Sequence, residues 1–301
     1  MNFRVAAEKY LAENMKKTIK LDVPYIEALY PIISHVNLED IHSAMLKPYM
    51  MARDEAGMKI RTMNYTIVLV NAIKHMAYRY WRHDDGKPVI PYVNPLPTIC
   101  KKTSGLYGVK WRDDARQGRV LTIEEQREFV SLLDGPAKDM FTFSLYTGLR
   151  ESEVTGLMWD EEKYETDVFM LDKDRTKSGK TRPVILCGIT REIIDRYREM
   201  DDVFVFTQDR FKRTFSKISV GRWKRAKEMS NIGDLRVHDA RTTFASRLRD
   251  IGAHEEDIAD LLGHVRSGVT ARYAKPSMRK LKELVCKLET EYPLEQHGNK
   301  S

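Results

Sequence analysis

Apolar residues recur at three- and four-residue intervals from the start of the chain to about residue 82. AAEKYLAENMKK, PYIEALYPIISHV and KPYMMARDEAG carry that spacing, which predicts amphipathic helices. KIRTMNYTIVLVNAIKHMAYRYWR is the longest such stretch. Its aliphatic and tyrosine positions predict a buried face, with Arg61, Lys74, Arg79 and Arg82 outside. The pattern breaks from Asp84 to about Gly118. HDDGKPVIPYVNPLPTI is too rich in proline to continue a helix, and the polar, basic KKTSGLYGVKWRDDARQGR follows it. We expect a helical domain over residues 1–105, a linker over 106–119 and a second domain over 120–301.

The second domain opens with TIEEQ, a capping box with Thr122 as N-cap and Glu125 three residues on. PAKDMFTFSLYTG predicts a helix that its glycine ends, beside the turn that presents Arg150. LRESEVTGLMW predicts another. DVFMLDKD and RPVILC read as strands around the polar turn TKSGKT, and VFVF as a short strand or helix edge. Helical spacing resumes from about Phe211: a basic helix, then HDARTTFASRLRDIG, HEEDIADLLG and the tail helix MRKLKELVCKLET. The expected fold class is mainly α with a small antiparallel β-sheet (α+β). In the tail helix Leu281, Leu284, Val285 and Leu288 form an amphipathic stripe, which suits packing on its own domain or on a neighbouring protomer.

Charge sharpens this picture. The 301 residues carry a net charge of +7, which favours a polyanionic partner but does not bear on fold. Residues 1–110 hold 16 Lys+Arg against 10 Asp+Glu. From Arg210 to Lys227 stand eight basic residues and no acidic one, with Phe211, Phe215 and Trp223 interleaved. Such a run is by itself a solvated helix face. Beside HDAR it reads as a phosphate-contacting helix, with Lys212, Arg213, Lys217, Arg222, Lys224 and Arg225 as candidate DNA contacts. The three cysteines, Cys100, Cys187 and Cys286, are odd in number and far apart, with no CxxC pair. That argues against a disulfide framework and a zinc site, and fits a reducing cytosol. No apolar run approaches the ~18 residues of a membrane span, and the N-terminus has no signal-peptide block.

The residues with chemistry to offer are scattered: Arg150 in TGLRESEV, Lys177 in RTKSGKTRP, His238 and Arg241 in HDAR, His264 in LLGH, and Tyr273 in ARYAKPS. One phosphodiester can use them all. Two arginines and an imidazole can hold its oxygens, a lysine can protonate a leaving oxygen, and a phenol can attack phosphorus. Arg150 follows a glycine turn at a helix start, where Glu153 at i+3 could hold it. A lysine on a hairpin tip can enter a groove and give up a proton; Lys180 competes with Lys177 for that role. His238 and Arg241, at i and i+3, can face one phosphate, and no second His or carboxylate at i+4 supports a metal site. Blander readings stand beside each: a surface ion pair, a solvated turn lysine, a helix-terminus histidine. Among fourteen tyrosines, Tyr273 alone would mean nothing. A phenol is only ~0.1% ionised at neutral pH and needs a base or a cationic setting to attack.

TGLRESEV, TKSGKTRPV, HDARTTFASRL, LLGH and the Tyr273 segment resemble, in order and spacing over about residues 120–280, the tyrosine recombinase (phage integrase) family. The helical stretch ending in NPLP resembles that family's core-binding domain. Thr242 departs from the histidine that many members carry after the second arginine, a position that is not catalytic in the family. VRSGVT, between His264 and Tyr273, is a variable stretch. The resemblance implies that Tyr273 attacks the scissile phosphate to form a 3′-phosphotyrosine and release a 5′-hydroxyl. Arg150, Arg241 and His264 would stabilise the transition state, Lys177 would be the general acid, His238 would assist, and Glu153 would support them. It implies no metal, ATP or other cofactor, because the covalent link conserves the phosphodiester's energy.

The same resemblance implies double-stranded DNA with a specific recombination site as partner, and a tetramer on two sites exchanging strands through a Holliday junction. It also implies an accessory DNA-bending or directionality factor, a part in integration or excision of a phage or mobile element, and a cytoplasmic, nucleoid-associated protein. The core-binding helices begin almost at once, so an arm-binding domain is expected to be either absent or outside this sequence, which argues against a complex regulated reaction and leaves simple recombination open. Competing readings are a topoisomerase-like strand relaxer, a catalytically silent DNA-binding regulator and a chromosome-dimer recombinase.

Overall fold

The computed structural model describes residues 1–114, 116–163, 166–176, 179–208, 213–218, 220–264 and 277–294. The chain divides into two compact units, Met1–Arg116 and Gln117–Ser301.

The first unit is helical: α1 (Phe3–Glu13), α2 (Val23–Glu27), α3 (Tyr30–Ile33), α4 (Ser43–Glu55) and α5 (Ile60–Arg79). Phe3, Ala6, Ala7 and Tyr10 line the buried side of α1, and the Asn2 side chain caps it by accepting from the Val5 N–H at 3.0 Å. PYIEALYPIISHV forms two short helices because Pro31 cannot donate within a continuing helix and sits in the first turn of α3. Helices α1, α2 and α4 pack on α5, whose buried positions Ile60, Met63, Ile67, Val70, Ile73 and Ala77 recur every three or four residues.

Two expectations for this unit are corrected. Lys74 is not on the outer face: it is 1% exposed, between the buried Val70 and Ala77. Its Nζ donates to the carbonyls of Ile41 at 2.7 Å and Asn94 at 3.1 Å, which replace its lost water. The segment expected as linker begins inside the unit, since Tyr107 and Val109 are buried in its core. Upstream, two asparagines hold the proline-rich NPLPTI along α5. The Asn71 amide donates to and accepts from the Leu96 backbone, each at 2.8 Å, and Asn64 treats Ile99 likewise at 2.9 and 2.7 Å. These side chains supply the pairing that a neighbouring strand would otherwise give.

The second unit runs α6 (Ile123–Leu132), α7 (Gly135–Thr147), α8 (Glu151–Thr155), β1 (Glu162–Lys163), β2 (Val168–Leu171), β3 (Arg182–Ile185), α9 (Gly188–Arg196), β4 (Thr207–Gln208), β5 (Arg213–Thr214), α10 (Val220–Met229), α11 (Val237–Asp250), α12 (Glu255–Leu262) and α13 (Met278–Glu291). Thr122 caps α6 as expected: its hydroxyl accepts from the Glu125 N–H at 3.2 Å, and the Glu125 carboxylate accepts from the Thr122 N–H at 3.1 Å. Strands β1, β2 and β3 form an antiparallel sheet in that order, with Phe169 opposite Val184. Helix α7 is buried all round, and α9, α11 and α13 pack about it. The fold is thus mainly helical with a small antiparallel sheet.

Two features of this unit differ from expectation. The basic helix starts at Val220, not near Phe211, because the chain before it is used in extended form. Arg213 lies in β5, paired opposite Gln208 of β4, and Ile218 is buried with its N–H donating to Glu151 Oε1 at 2.9 Å. Cys187 and Cys286, 99 residues apart, are joined in a disulfide, contrary to the reading of the cysteines as unpaired. Sequence distance misled there: α13 packs across the start of α9, bringing the two Cα atoms to 5.5 Å. The apolar stripe of α13 is used within the chain, with Leu281, Val285 and Leu288 buried in its own unit and Leu284 packed against them.

Candidate active site

Two turns and two helix ends of the second unit build the site. Helix α7 stops at Gly148, whose backbone is left-handed (φ 63°). A Cβ there would stand 2.4 Å from a Phe244 ring carbon, so glycine serves both the turn and the close approach of α11. Two residues on, Arg150 is the N-cap of α8. Glu153 then fixes it twice, accepting from the Arg150 N–H at 2.9 Å and from its Nη1 at 2.7 Å. Helix α11 starts where the buried Asp239 accepts from the backbone N–H groups of Arg236 at 2.8 Å and Arg119 at 3.2 Å. That anchorage presents His238 and Arg241 one turn apart.

Helix α12 ends at Gly263 in a Schellman turn, with the Gly263 N–H donating to Asp260 O at 3.1 Å and the His264 N–H to Ala259 O at 2.8 Å. Arg241 locks this end to the first turn. Its Nη1 donates to Gly148 O at 2.8 Å, and its Nη2 to Leu262 O at 2.7 Å. Nη2 also lies 3.0 Å from His264 Nε2. A guanidinium has no acceptor, so in this arrangement Nε2 accepts and the imidazole proton sits on Nδ1.

Arg150, His238, Arg241, Thr242, Leu262 and His264 line a cavity of about 420 Å³. Its electrostatics are lopsided. Arg150, Arg241 and the adjacent Arg182 share Glu153 as their carboxylate among the described residues. Burial first, then Arg182 and Arg150, lower the pKa of Arg241 to about 9, so it stays cationic at neutral pH. Partial burial and the field of Arg241 hold the pKa values of His238 and His264 below the ordinary histidine value, with Arg150 adding to both shifts. The site therefore holds more positive charge than its own carboxylate neutralises, which suits an anion.

A larger cavity of about 830 Å³ lies at the contact of α9 and α13. Its cations offer no such surplus, because Arg191 and Lys282 are matched there by Asp167, Glu192 and Glu289. Among the described residues no cluster of His, Cys, Asp or Glu could hold a metal ion.

Of the six residues singled out from sequence, the structure brings together Arg150, His238, Arg241 and His264, with Glu153 behind them. Lys177 and Tyr273 lie outside the described residues. Among the DNA-contact candidates, Lys212 also lies outside them, and Lys217, Arg222, Lys224 and Arg225 are exposed. Arg222 pairs with Asp134 at 3.1 Å and Lys224 with Glu228 at 3.7 Å. Trp223 anchors α10 from the other side, edge-on to Phe129 and Phe141 at 4.7 and 5.0 Å. Sequence reasoning passed over Arg182, although a lone arginine leading the apolar run PVILC is the signature of a buried charge.

A model of the phage integrase family matches residues 119–280. In sequence the chain is similar to the integrase of Salmonella phage P22, 26% identical over 218 residues covering 68% of this chain and 51% of that protein. It is similar also to the tyrosine recombinase XerA of Pyrococcus horikoshii, 27% identical over 173 residues covering 56% of this chain and 60% of that protein. The matches thus span about half to three-fifths of these curated relatives. In fold the chain is similar to the Tn1549 transposon integrase solved in complex with transposon right end DNA, with a TM-score of 0.67 at 16% identity over 90% of this chain and 97% of that one. A lambda integrase dimer bound to a COC′ core site matches with a TM-score of 0.65 at 16% identity, over 90% and 94% of the two chains.

Proposed function

We propose that this chain, which belongs to the phage integrase family, is a site-specific recombinase that breaks and rejoins double-stranded DNA through a covalent bond to Tyr273. The observation that carries this reading is the convergence of Arg150, Arg241, His238 and His264 on one cavity whose positive charge exceeds its carboxylate. A phosphodiester seated there would lie between two guanidinium groups. As the Tyr273 phenol oxygen attacks phosphorus, charge grows on the non-bridging oxygens, and Arg150, Arg241 and His264 are the groups placed to meet it. Loss of one such donor costs about 10²–10³ in rate. The phosphorus–5′-oxygen bond breaks as the phosphotyrosine forms. By the family resemblance Lys177 gives that oxygen its proton, and His238 takes up or shares the phenol proton. In the free site burial and the field of Arg241 favour the neutral, proton-accepting form of His238.

The reverse attack by a 5′-hydroxyl restores the phosphodiester, so the cycle consumes no ATP, and the cations take the place of a metal in stabilising charge. By the same likeness four copies act on two sites and pass through a Holliday junction. The work would be integration or excision of a phage or other mobile element, on the nucleoid in the cytoplasm, with an accessory DNA-bending or directionality factor. The exposed Lys217, Arg222, Lys224 and Arg225 would touch DNA backbone, so affinity should fall steeply with salt.

The test is a covalent trap. The protein is incubated with DNA flanking its own gene, the reaction is stopped with detergent, and the attached DNA is sequenced, with Tyr273→Phe run alongside. Attachment at one discrete site, lost in the variant, is the expected result. Attachment at many unrelated sites would make the protein a strand relaxer, and specific binding without attachment would make it a regulator.

A further inference from the structure

Arg182 has no part in the chemistry above, yet it is one of the largest fully buried side chains of the chain, at 1% exposure. It opens β3, five residues beyond Lys177 in the sequence. Its Nη1 donates to Leu262 O at 2.8 Å and to Glu153 Oε2 at 3.3 Å, and its Nη2 to Thr147 O at 3.4 Å. Each acceptor lies within three residues of a site residue in the sequence. Leu262 ends α12 two residues before His264, and its carbonyl also accepts from Arg241. Glu153 is the carboxylate that holds Arg150. Thr147 ends α7 at the glycine turn that leads to Arg150.

The backbone makes room for this side chain. A Cβ on Gly263 would stand 2.6 Å from Arg182 Cδ. A buried ion pair is a weak source of folding stability, because apolar side chains of similar volume often do as well in its place. The charge at position 182 therefore asks for another explanation, and the identity of its partners supplies one.

We infer that Arg182 is a positioning residue: it fixes the spacing of Arg150, Arg241 and His264 and ties the strand that follows Lys177 to them. The inference rests on the recombinase reading for its consequence in rate, but its structural half stands apart from that reading.

The test uses the full chain as Arg182→Met and Arg182→Lys. Val184→Ala, a buried position of the same strand packed in an apolar cluster, serves as the control for plain loss of stability. Three quantities are read: affinity for the recombination site, the single-turnover rate of covalent-complex formation at saturating DNA, and hydrogen exchange at the Gly263 and His264 amides. We expect Arg182→Met to bind DNA within about twofold of the parent yet form the covalent complex about a hundredfold more slowly, the scale of an ångström misplacement. Exchange at residues 263 and 264 should quicken. Arg182→Lys, with one donor centre instead of a fork, should fall between, and carries both readouts if the methionine variant does not fold. Val184→Ala should lower the thermal midpoint and leave rate and local exchange unchanged below it. Parental rate or unchanged exchange in Arg182→Met overturns the inference, as does an equal loss of rate in Val184→Ala. If the parent forms no covalent complex, the recombinase reading fails, and exchange alone decides whether Arg182 positions the end of α12.

Discussion

Each unit of the chain draws a cation at least partly out of water, and the two do so to different ends. In the first, Lys74 spends its ammonium on the carbonyls of Ile41 and Asn94. Burial lowers its pKa to about 8, an effect Glu39 partly opposes, and its work is to close the ends of two loops. In the second, Arg150 gives Nη1 to Glu153, is 23% exposed and lines a cavity beside Arg241 and His264. Burial and a lowered pKa are common to Lys74 and to Arg241, the neighbour of Arg150 in the cavity. What separates a structural cation from one with a ligand to meet is whether its donors are consumed inside the protein and whether its neighbours leave the local charge unbalanced.

The largest effect that could break this contrast is on cleavage. Arg241→Met should slow single-turnover covalent-complex formation by about 10²–10³ while changing DNA affinity far less. A variant that loses affinity and rate together would place Arg241 with the binding contacts instead.

The disulfide sharpens the contrast from another side, because it ties α13 to the second unit alone. A disulfide typically stabilises a fold by about 2–4 kcal/mol, and loop entropy sets roughly 4.7 kcal/mol as the scale for a loop this long. Cys286→Ser should remove that much in oxidising buffer and nothing in reducing buffer, with hydrogen exchange rising in the second unit only. Exchange that rises equally in the first unit would show the two to unfold as one.

The smallest expected effect is on pH dependence. The unfolded chain's histidines take up protons near pH 6.5, whereas folded His238 and His264 do so lower. Between those values the unfolded state binds more protons, so stability is full above about pH 6.5 and falls as pH drops through the folded values. Bound DNA phosphate should raise both histidine values, readable as NMR shifts. Histidines that titrate at their ordinary value in the free protein would remove the cationic field from the account.

Much of this was legible in the sequence where local rules act alone. Periodicity gave α1, α5 and α11, the capping box gave the start of α6, and the glycines after α7 and α12 marked the turns that present Arg150 and His264. What stayed hidden depends on partners distant in the chain. Lys74 looks like a surface lysine until two loop carbonyls arrive. Cys187 and Cys286 look unpaired until α13 crosses α9. The run from Arg213 to Ile218 carries helical charge but is claimed by β4 and by Glu151. Arg182 belonged to a motif already noticed, yet its role depends on acceptors contributed by α7, α8 and α12.

The measurement that bears most directly on the central claim compares Arg150→Met with Lys74→Met for thermal stability and for single-turnover cleavage below both melting points. The account predicts that Arg150→Met, which leaves Glu153 still paired with Arg182, costs less stability than Lys74→Met and loses about 10²–10³ in cleavage. Lys74→Met should lose about 1–3 kcal/mol of stability by orphaning two carbonyls and cleave at the parental rate. Cleavage within a few fold of the parent in Arg150→Met, or a matching loss of cleavage in folded Lys74→Met, would contradict it.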